Sequence, residues 1–462
     1  MVEMVEENFE FTGKAKSTLF KVIAVGLVLA AFGIFGLSQG WWDPAHASGH
    51  HASLMEQPLL VEHTSGHDEA MHQANEAIEH ANAGHVENHG AHEEHGGYTF
   101  MKRVKVGLWV NNIYFLGLAI VGVFFFAINY VTWSGWSAGL TRVFLSLGSY
   151  LLVATILTLG LFFFSSHDLF HWTHDGIAET DHIIASKTWY LNLPFYIGRM
   201  VVILGGWSLF HYFLKREAKL EDNNGGVLHH ARIINWSAGF IVFFGVSSSM
   251  GAWDWIMSID THWFSTLFGW FVFSSWFVSG LAVITLLTIF LKEAGYLKVV
   301  STEHLHDLGK YLFAFSIFWT YIWFSQFILY YYSNIPEETI YFVERLFFNM
   351  GNYAPIFVIN LLINFLFPFL FLMTRGSKRV TIMLKVAAIG ILIGHWFDFY
   401  LMIAPGVLKE HGGLNVGMLF FEVGVTMVFG GLFVFTVLKG LTTIGLIAKN
   451  HPFLEESIHH HT

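Results

Sequence analysis

The sequence predicts an all-α, polytopic membrane protein of about ten transmembrane helices, arranged as two four-helix bundles with flanking helices. Three observations predict it. Only 13% of the 462 residues are charged and 54% are hydrophobic, 48 of them Phe; a soluble domain carries about 25% charge. Apolar stretches of roughly 20 residues recur along the chain, each long enough to cross a bilayer. Lys and Arg gather in alternate connections, as they do when loops sort to opposite sides of a membrane.

The spans fall near residues 19–40, 105–130, 141–164, 191–214, 234–257, 264–291, 310–332, 353–374, 381–403 and 414–438. Residues 1–42 form an N-terminal tail and first span. That span has a basic start (Lys14, Lys16, Lys21) and is followed by Ala45-His46-Ala47, a signal-peptidase-like sequence. Its apolar core is longer than that of a signal peptide, so it reads as a retained anchor. Residues 43–100 form a long loop. Residues 101–260 and 261–405 make the two four-helix bundles, and 406–462 the last span and tail. With the N-terminus inside, 17 Lys and Arg fall on the inner side and 6 on the outer. Both termini are therefore expected in the cytoplasm.

The net charge of −10 comes from one place. Residues 43–95 hold ten acids and no Lys or Arg, and the other 24 acids balance all 24 bases. No basic stripe exists to bind phosphates, which excludes a nucleic-acid partner. The loop also holds eleven His from His46 to His95, with no fixed ligand spacing. It reads as a solvated, largely disordered segment that adsorbs metal loosely, with a short polar helix conceivable at Asp68–Val86. There is no cysteine, which excludes cysteine-held iron–sulfur clusters, covalent c-type haem, disulfides and thiol catalysis. A di-haem core needs histidines on facing helices inside the membrane; only His395 is clearly placed there, with His211 near a span end.

The two bundles read as a weak parallel repeat. Each ends in a helix carrying Trp and Asp: Trp253 and Asp254 in one, Trp396 and Asp398 in the other. Polar residues inside hydrocarbon are costly and usually face the bundle interior. Those that could form a proton path are Asp254, Asp398, His395, Arg199, Glu422, Asp168, Tyr321 and Gln326. A carboxyl shielded from water can take up and release protons near neutrality. Arg199 could neutralise one carboxylate, and His395 precedes Asp398 by three residues, on one helix face. The alternative is that these groups lock helices together by hydrogen bonds, each worth about 1 kcal/mol. His167, His171 and His174 follow an i, i+4, i+7 pattern that a helix would align. That face could hold a metal or a quinone head, or simply sit at the headgroup level.

Several segments resemble one family. Asp254-Trp255-Ile256-Met257-Ser258-Ile259-Asp260, followed by Trp263-Phe264-Ser265-Thr266-Leu267-Phe268-Gly269, resembles a motif of the NrfD/polysulfide-reductase-type membrane subunits of alternative complex III. So do Asp307-Leu308-Gly309-Lys310, the run Phe318–Phe327, and Tyr332-Ser333-Asn334-Ile335-Pro336-Glu337-Glu338-Thr339. The similarity covers most of residues 105–440. Asn111-Asn112-Ile113-Tyr114-Phe115-Leu116 and the Trp133–Ala138 region look like the second such subunit, commonly called the F subunit. The His-rich insert departs from the pattern.

The resemblance implies a non-redox, multi-pass subunit of a quinol:cytochrome c oxidoreductase in the bacterial inner membrane. It implies a sister NrfD-like subunit, an iron–sulfur subunit and multihaem cytochrome c subunits as partners, with a terminal oxidase as a further one. Haem c and iron–sulfur clusters would belong to those partners and no cofactor to this chain. Its role would be scaffolding and proton conduction. The runner-up reading is a quinol-binding subunit with a site walled by His171, His174 and Tyr332. A free-standing secondary transporter is the third.

Overall fold

The computed structural model of the chain describes residues 7–39, 100–346, 353–409, 412 and 416–461. The His-rich loop, the helix expected at 68–86 and Ala45-His46-Ala47 lie outside the described residues. Among the described residues there is no strand, and ten helices are long and apolar enough to cross a membrane. We number these α1 (Gly13–Gly36), α2 (Phe100–Val131), α3 (Thr141–Leu169), α4 (Leu193–Asn224), α5 (Val227–Ile259), α6 (Phe268–Glu293), α7 (Thr302–Ser333), α8 (Ala354–Phe371), α9 (Thr381–Leu408) and α10 (Leu419–Leu441). In lipid every backbone N–H and C=O must be satisfied within the segment, and a helix does that locally.

The contacts define two rings of four. α2 packs on α3 and α5, and α4 closes the ring between them. α6 packs on α7 and α9, and α8 closes that ring in the same way. The bundles meet through α2–α6, α5–α6 and α2–α9. Exchanging α2 with α6 and α5 with α9 maps this set of contacts onto itself, as a two-fold repeat requires. α10 lies against α2 and α3, and α1 lies on α10.

Lipid tails are as apolar as the helices, so association depends on close packing rather than hydrophobic gain. Small residues supply it. A Cβ added at Gly117 of α2 would fall 1.7 Å from Trp276 Cδ1 of α6. One added at Gly424 of α10 would fall 2.4 Å from the Ala30 backbone N of α1. Large apolar side chains such as Leu152, Phe163, Val202 and Val242 point outward instead, as a lipid-facing surface demands.

Residues 7–12 and 446–461 lie on one face. Leu446 N–H donates to the Glu7 carbonyl (3.0 Å), and Glu7 Oε2 accepts from Leu297 N–H (2.6 Å). The tail then runs beneath both bundles. Asn450 donates to the Glu221 and Asp222 carbonyls, and Ser457 Oγ meets His304 Nε2 at 3.0 Å. We call this the terminal face and its opposite the loop face.

Three helices outrun their apolar windows. α4 continues to Asn224, about three turns beyond its expected end, and α5 begins at Val227 and α7 at Thr302, each about two turns before its expected start. The extensions are polar and pack against one another and the tail. Asn192, expected within span four, is instead the cap of α4, accepting from Phe195 N–H (3.0 Å).

Candidate functional site: a buried acid in each bundle

Asp254 and Asp398 sit on the equivalent helices α5 and α9, and both are almost wholly buried. Asp254 faces α4. Arg199 Nε donates to its Oδ2 (2.8 Å) and Nη2 to its Oδ1 (3.1 Å), a two-pronged pair. The guanidinium also donates to the Tyr190 carbonyl (2.9 Å) and stacks on the Tyr190 ring. Arg199 thus matches one carboxylate charge, where an unpaired ion would be expensive.

Asp398 ties all four helices of its bundle together. Oδ2 accepts from Ser275 Oγ of α6 (2.6 Å) and Trp319 Nε1 of α7 (2.9 Å). Oδ1 accepts from Asn360 Nδ2 of α8 (3.0 Å), and Asn364 Nδ2 donates onward to Asn360 Oδ1 (2.6 Å). Asn364 lies in a π-helical turn, Leu362–Leu366; such wider turns re-aim side chains. Gly394 leaves the room, since a Cβ there would fall 2.1 Å from Asn364 Oδ1. Arg199 and Asn360 are each the seventh residue of their helices. The repeat therefore places a cation against one acid and a neutral amide against the other.

His395 is fully buried. Its Nδ1 lies 3.7 Å from Asp398 Oδ2, its ring meets Trp319 edge-on, and neither ring nitrogen has a hydrogen-bond partner among the described residues. Toward the loop face a cavity of about 20 Å³ is bounded by Asp398, Asn360, Gln326 and Arg345, room for about one water. Gln326 lies 3.5 Å from Ser265 Oγ. Arg345 comes from the short helix Pro336–Leu346, which covers this end of the bundle. Its Nε donates to the Leu401 carbonyl (2.8 Å), while its buried Nη2 has no hydrogen-bond partner among the described residues.

The other expected residues lie elsewhere. Glu422 is buried near the start of α10. Asp168 is at the loop-face end of α3, ion-paired with Lys105. Tyr321 points away from its bundle, 64% exposed, so it cannot relay protons through the interior. Tyr332 is 89% exposed; among the described residues no hydrogen bond or ring contact joins it to His171 or His174. The His run is no continuous helix: α3 ends at Leu169 and a short turn, His171–Thr173, follows. Chain reversal still brings the rings together, with His167 stacked on His174 at 4.1 Å and His171 5.1 Å from His174. Partial burial, then the nearby His174, His262 and Lys409, pushes His171 below its ordinary value. No group of three or more His, Asp or Glu among the described residues is arranged to hold a metal ion.

Sequence reasoning missed a polar cluster on the terminal face. Arg142 Nη2 meets Glu221 Oε2 (3.1 Å) and Asp222 Oδ1 (2.8 Å). Glu221 also accepts from Tyr130 (3.1 Å) and meets His230 Nδ1 at 3.0 Å, while His229 Nδ1 meets Glu217 Oε2 at 2.9 Å. In the second bundle His460 of the tail meets Asp307 (2.7 Å), beside Lys310. The available signal was Glu217 and Glu221, four apart on one face.

The tail residue His451 packs on Tyr130 and His230. Burial holds it at about 4; Glu221 raises it, while His230 and Arg142 lower it further. A histidine depressed in the folded state favours folding above about pH 6.5. That contribution is lost as pH falls from 6.5 toward 4. The tail is expected to loosen over this window, read as lower hydrogen-exchange protection at residues 446–458 once the slower intrinsic exchange at acid pH is divided out. His451→Gln should flatten the dependence.

The fold and these centres define a class: a multi-pass helical membrane protein with a buried acid at an equivalent place in each of two bundles. No protein-family model matches the chain, and no curated protein matches it.

Proposed function

We propose that this chain is a non-redox membrane subunit of a quinol:cytochrome c oxidoreductase of the alternative complex III type, and that it scaffolds the complex and conducts protons. The observation that carries the proton role is the Asp398 centre. A carboxyl joins all four helices, has His395 at one side and opens on a water-sized cavity toward the loop face. On the terminal face Asp307, His304 and His460 provide an entry. Asp254 with Arg199, above the Glu221 cluster, makes the corresponding set in the first bundle. The family assignment rests on the motifs at 254–269, 307–327 and 332–339, and the absence of cysteine supports electrons travelling in partner subunits.

In this reading the terminal face is cytoplasmic, as the 17-to-6 distribution of Lys and Arg favours. The membrane is the bacterial inner membrane. The partners are a sister NrfD-like subunit, an iron–sulfur subunit, multihaem cytochromes c and an attached oxidase.

Two measurements test it. Purification under mild conditions should bring out multihaem cytochromes and an iron–sulfur protein with this chain; recovery alone rejects the complex. Asp254→Asn and Asp398→Asn should retain quinol oxidation but move fewer protons per electron, and unchanged ratios in both variants reject the relay.

A further inference from the structure

The two bundles share a second correspondence besides their acids. In the first, the Arg199 guanidinium stacks on the Tyr190 ring at 3.7 Å and donates to the Tyr190 carbonyl. In the second, Arg345 stacks on the Tyr341 ring at 3.4 Å, and its Nη1 donates to the Tyr341 carbonyl (2.6 Å). Tyr190 and Tyr341 both lie in the loop-face connection between the second and third helices of their bundles. Arg199 stands on a bundle helix, whereas Arg345 stands on the short helix Pro336–Leu346 that covers the bundle. An arginine–tyrosine unit is thus present beside each acid, but only one of the two touches its carboxylate.

Arg345 is 2% exposed. Its Nε and Nη1 are used by the Leu401 and Tyr341 carbonyls, and the Tyr341 ring is itself stacked on Trp263 at 4.0 Å. These contacts fix the guanidinium and leave Nη2 without a hydrogen-bond partner among the described residues. A buried charged donor with no acceptor is costly. Arg345 borders the cavity of about 20 Å³ that also reaches Asp398, Asn360 and Gln326. A cavity of that size holds about one water, and a buried water needs several polar partners, which this lining supplies. Asp398 has a matching opening. Its Oδ2 already accepts twice, from Ser275 and Trp319, while Oδ1 accepts once, from Asn360. A carboxylate oxygen takes about two donors, so Oδ1 has room for one more.

We infer that Arg345 is the counter-ion of Asp398, joined to it by one bound water that accepts from Nη2 and donates to Oδ1. The helix Pro336–Leu346 then caps the bundle with the charge its acid needs. Taking that helix away would remove the charge and open the cavity together. A charge pair one water apart stays coupled where little other solvent screens it. The other charges nearby do not fill the role. Glu344 Oε2 is 3.8 Å from Arg345 Nη1, beyond hydrogen-bond reach, and Glu344 does not border the cavity. Asp260 and Lys409 lie close to Glu344 instead. His395 stands on the other side of the carboxyl, 3.7 Å from Oδ2. The pairing does not rest on the proton reading.

Two measurements test it, both on the full chain with the subunits it carries. The first needs no variant: a cryo-electron-microscopy map fine enough to show single waters. One peak is expected in the cavity, within about 3.2 Å of both Arg345 Nη2 and Asp398 Oδ1. No peak, a peak that touches only one of the two, or a peak that bromide replaces, as at an anion site, overturns the proposal. The second is a double-mutant cycle, read as the unfolding equilibrium in a denaturing-detergent titration. Arg345→Met breaks the bonds to Leu401 and Tyr341 in every background, and only the coupling to Asp398 depends on that acid. Arg345→Met should therefore shift the equilibrium about tenfold less in Asp398→Asn than in the wild-type chain. In Glu344→Gln it should cost nearly as much as in the wild-type chain. Equal costs in the wild-type chain and in Asp398→Asn mean that Arg345 only holds its helix in place, and they overturn the proposal. So does coupling that is found with Glu344 alone. If Arg345→Met does not fold, the wild-type map still decides. Proton-to-electron ratios play no part, so failure of this pairing and failure of the relay are separable.

Discussion

Arg199→Met is expected to destabilise the protein by about 3–5 kcal/mol, the usual cost of leaving a buried charge without its partner. The Asp254 carboxylate would lose both donors, and the Tyr190 carbonyl would lose a third. Arg199→Lys should recover only part of the loss. An ammonium cannot serve both carboxylate oxygens in the same plane, nor stack between Tyr190 (3.7 Å) and Phe195 (4.4 Å). The double variant Arg199→Met/Asp254→Leu should be far less damaged than Arg199→Met alone, because an ion pair replaced by packed apolar groups is often neutral. Thermal unfolding of the purified protein in nanodiscs checks the series. Equal losses in the single and double variants would mean that packing around Arg199, rather than the stranded charge, sets the cost.

Asp398→Ala is expected to be comparably severe. Three buried donors lose their acceptor: Ser275 Oγ, Trp319 Nε1 and Asn360 Nδ2. A stranded buried donor costs about 1–3 kcal/mol. Trp319 keeps a bond to Ser275 Oγ (2.9 Å), so the total should be about 3–6 kcal/mol, with a cavity left beside His395. Asp398→Asn retains one acceptor oxygen and nearly the same volume, and should cost about half as much. That difference makes Asn the right substitution for the proton measurement. If Asn and Ala destabilise equally, the hydrogen bonds to the carboxyl are not what ties the four helices together.

The two acids differ in kind although their helices are equivalent. In the first bundle a guanidinium matches the charge; in the second, three neutral donors hold the carboxyl, and among the described residues no Lys or Arg is within hydrogen-bond reach. A repeat that kept the helix contacts while exchanging Arg199 for Asn360 leaves one bundle with a fixed ion pair and the other with an adaptable centre. The proposed relay assigns the larger proton-coupled effect to Asp398 for that reason.

What was legible in the sequence follows the range of each interaction. The ten spans were legible because the requirement for about 20 apolar residues is local and the hydrocarbon layer imposes it on every helix alike. Asp254, Asp398, His395 and Arg199 stood out because a polar residue among Phe, Leu and Val is conspicuous. Tyr321 stood out by the same test and was misleading, since an aromatic hydroxyl tolerates a lipid-facing position and composition does not say which way a side chain points.

The helix ends were harder. Glu217, Glu221, His229 and His230 look like ordinary loop polarity until the tail covers them; their burial depends on residues more than 200 positions away. The cavity beside Asp398 needs four helices and the short helix that covers them to exist at all. By itself, the sequence determined how many times the chain crosses the membrane and that buried acids lie within it. The tertiary structure alone decided which acid has a cation in direct hydrogen-bond contact and which borders a water-sized cavity. Those outcomes depend on contacts such as Arg199 with Asp254, 55 residues apart, and Ser275 with Asp398, 123 apart. Pairings over such distances arise only when helices close into bundles, and no local pattern records them.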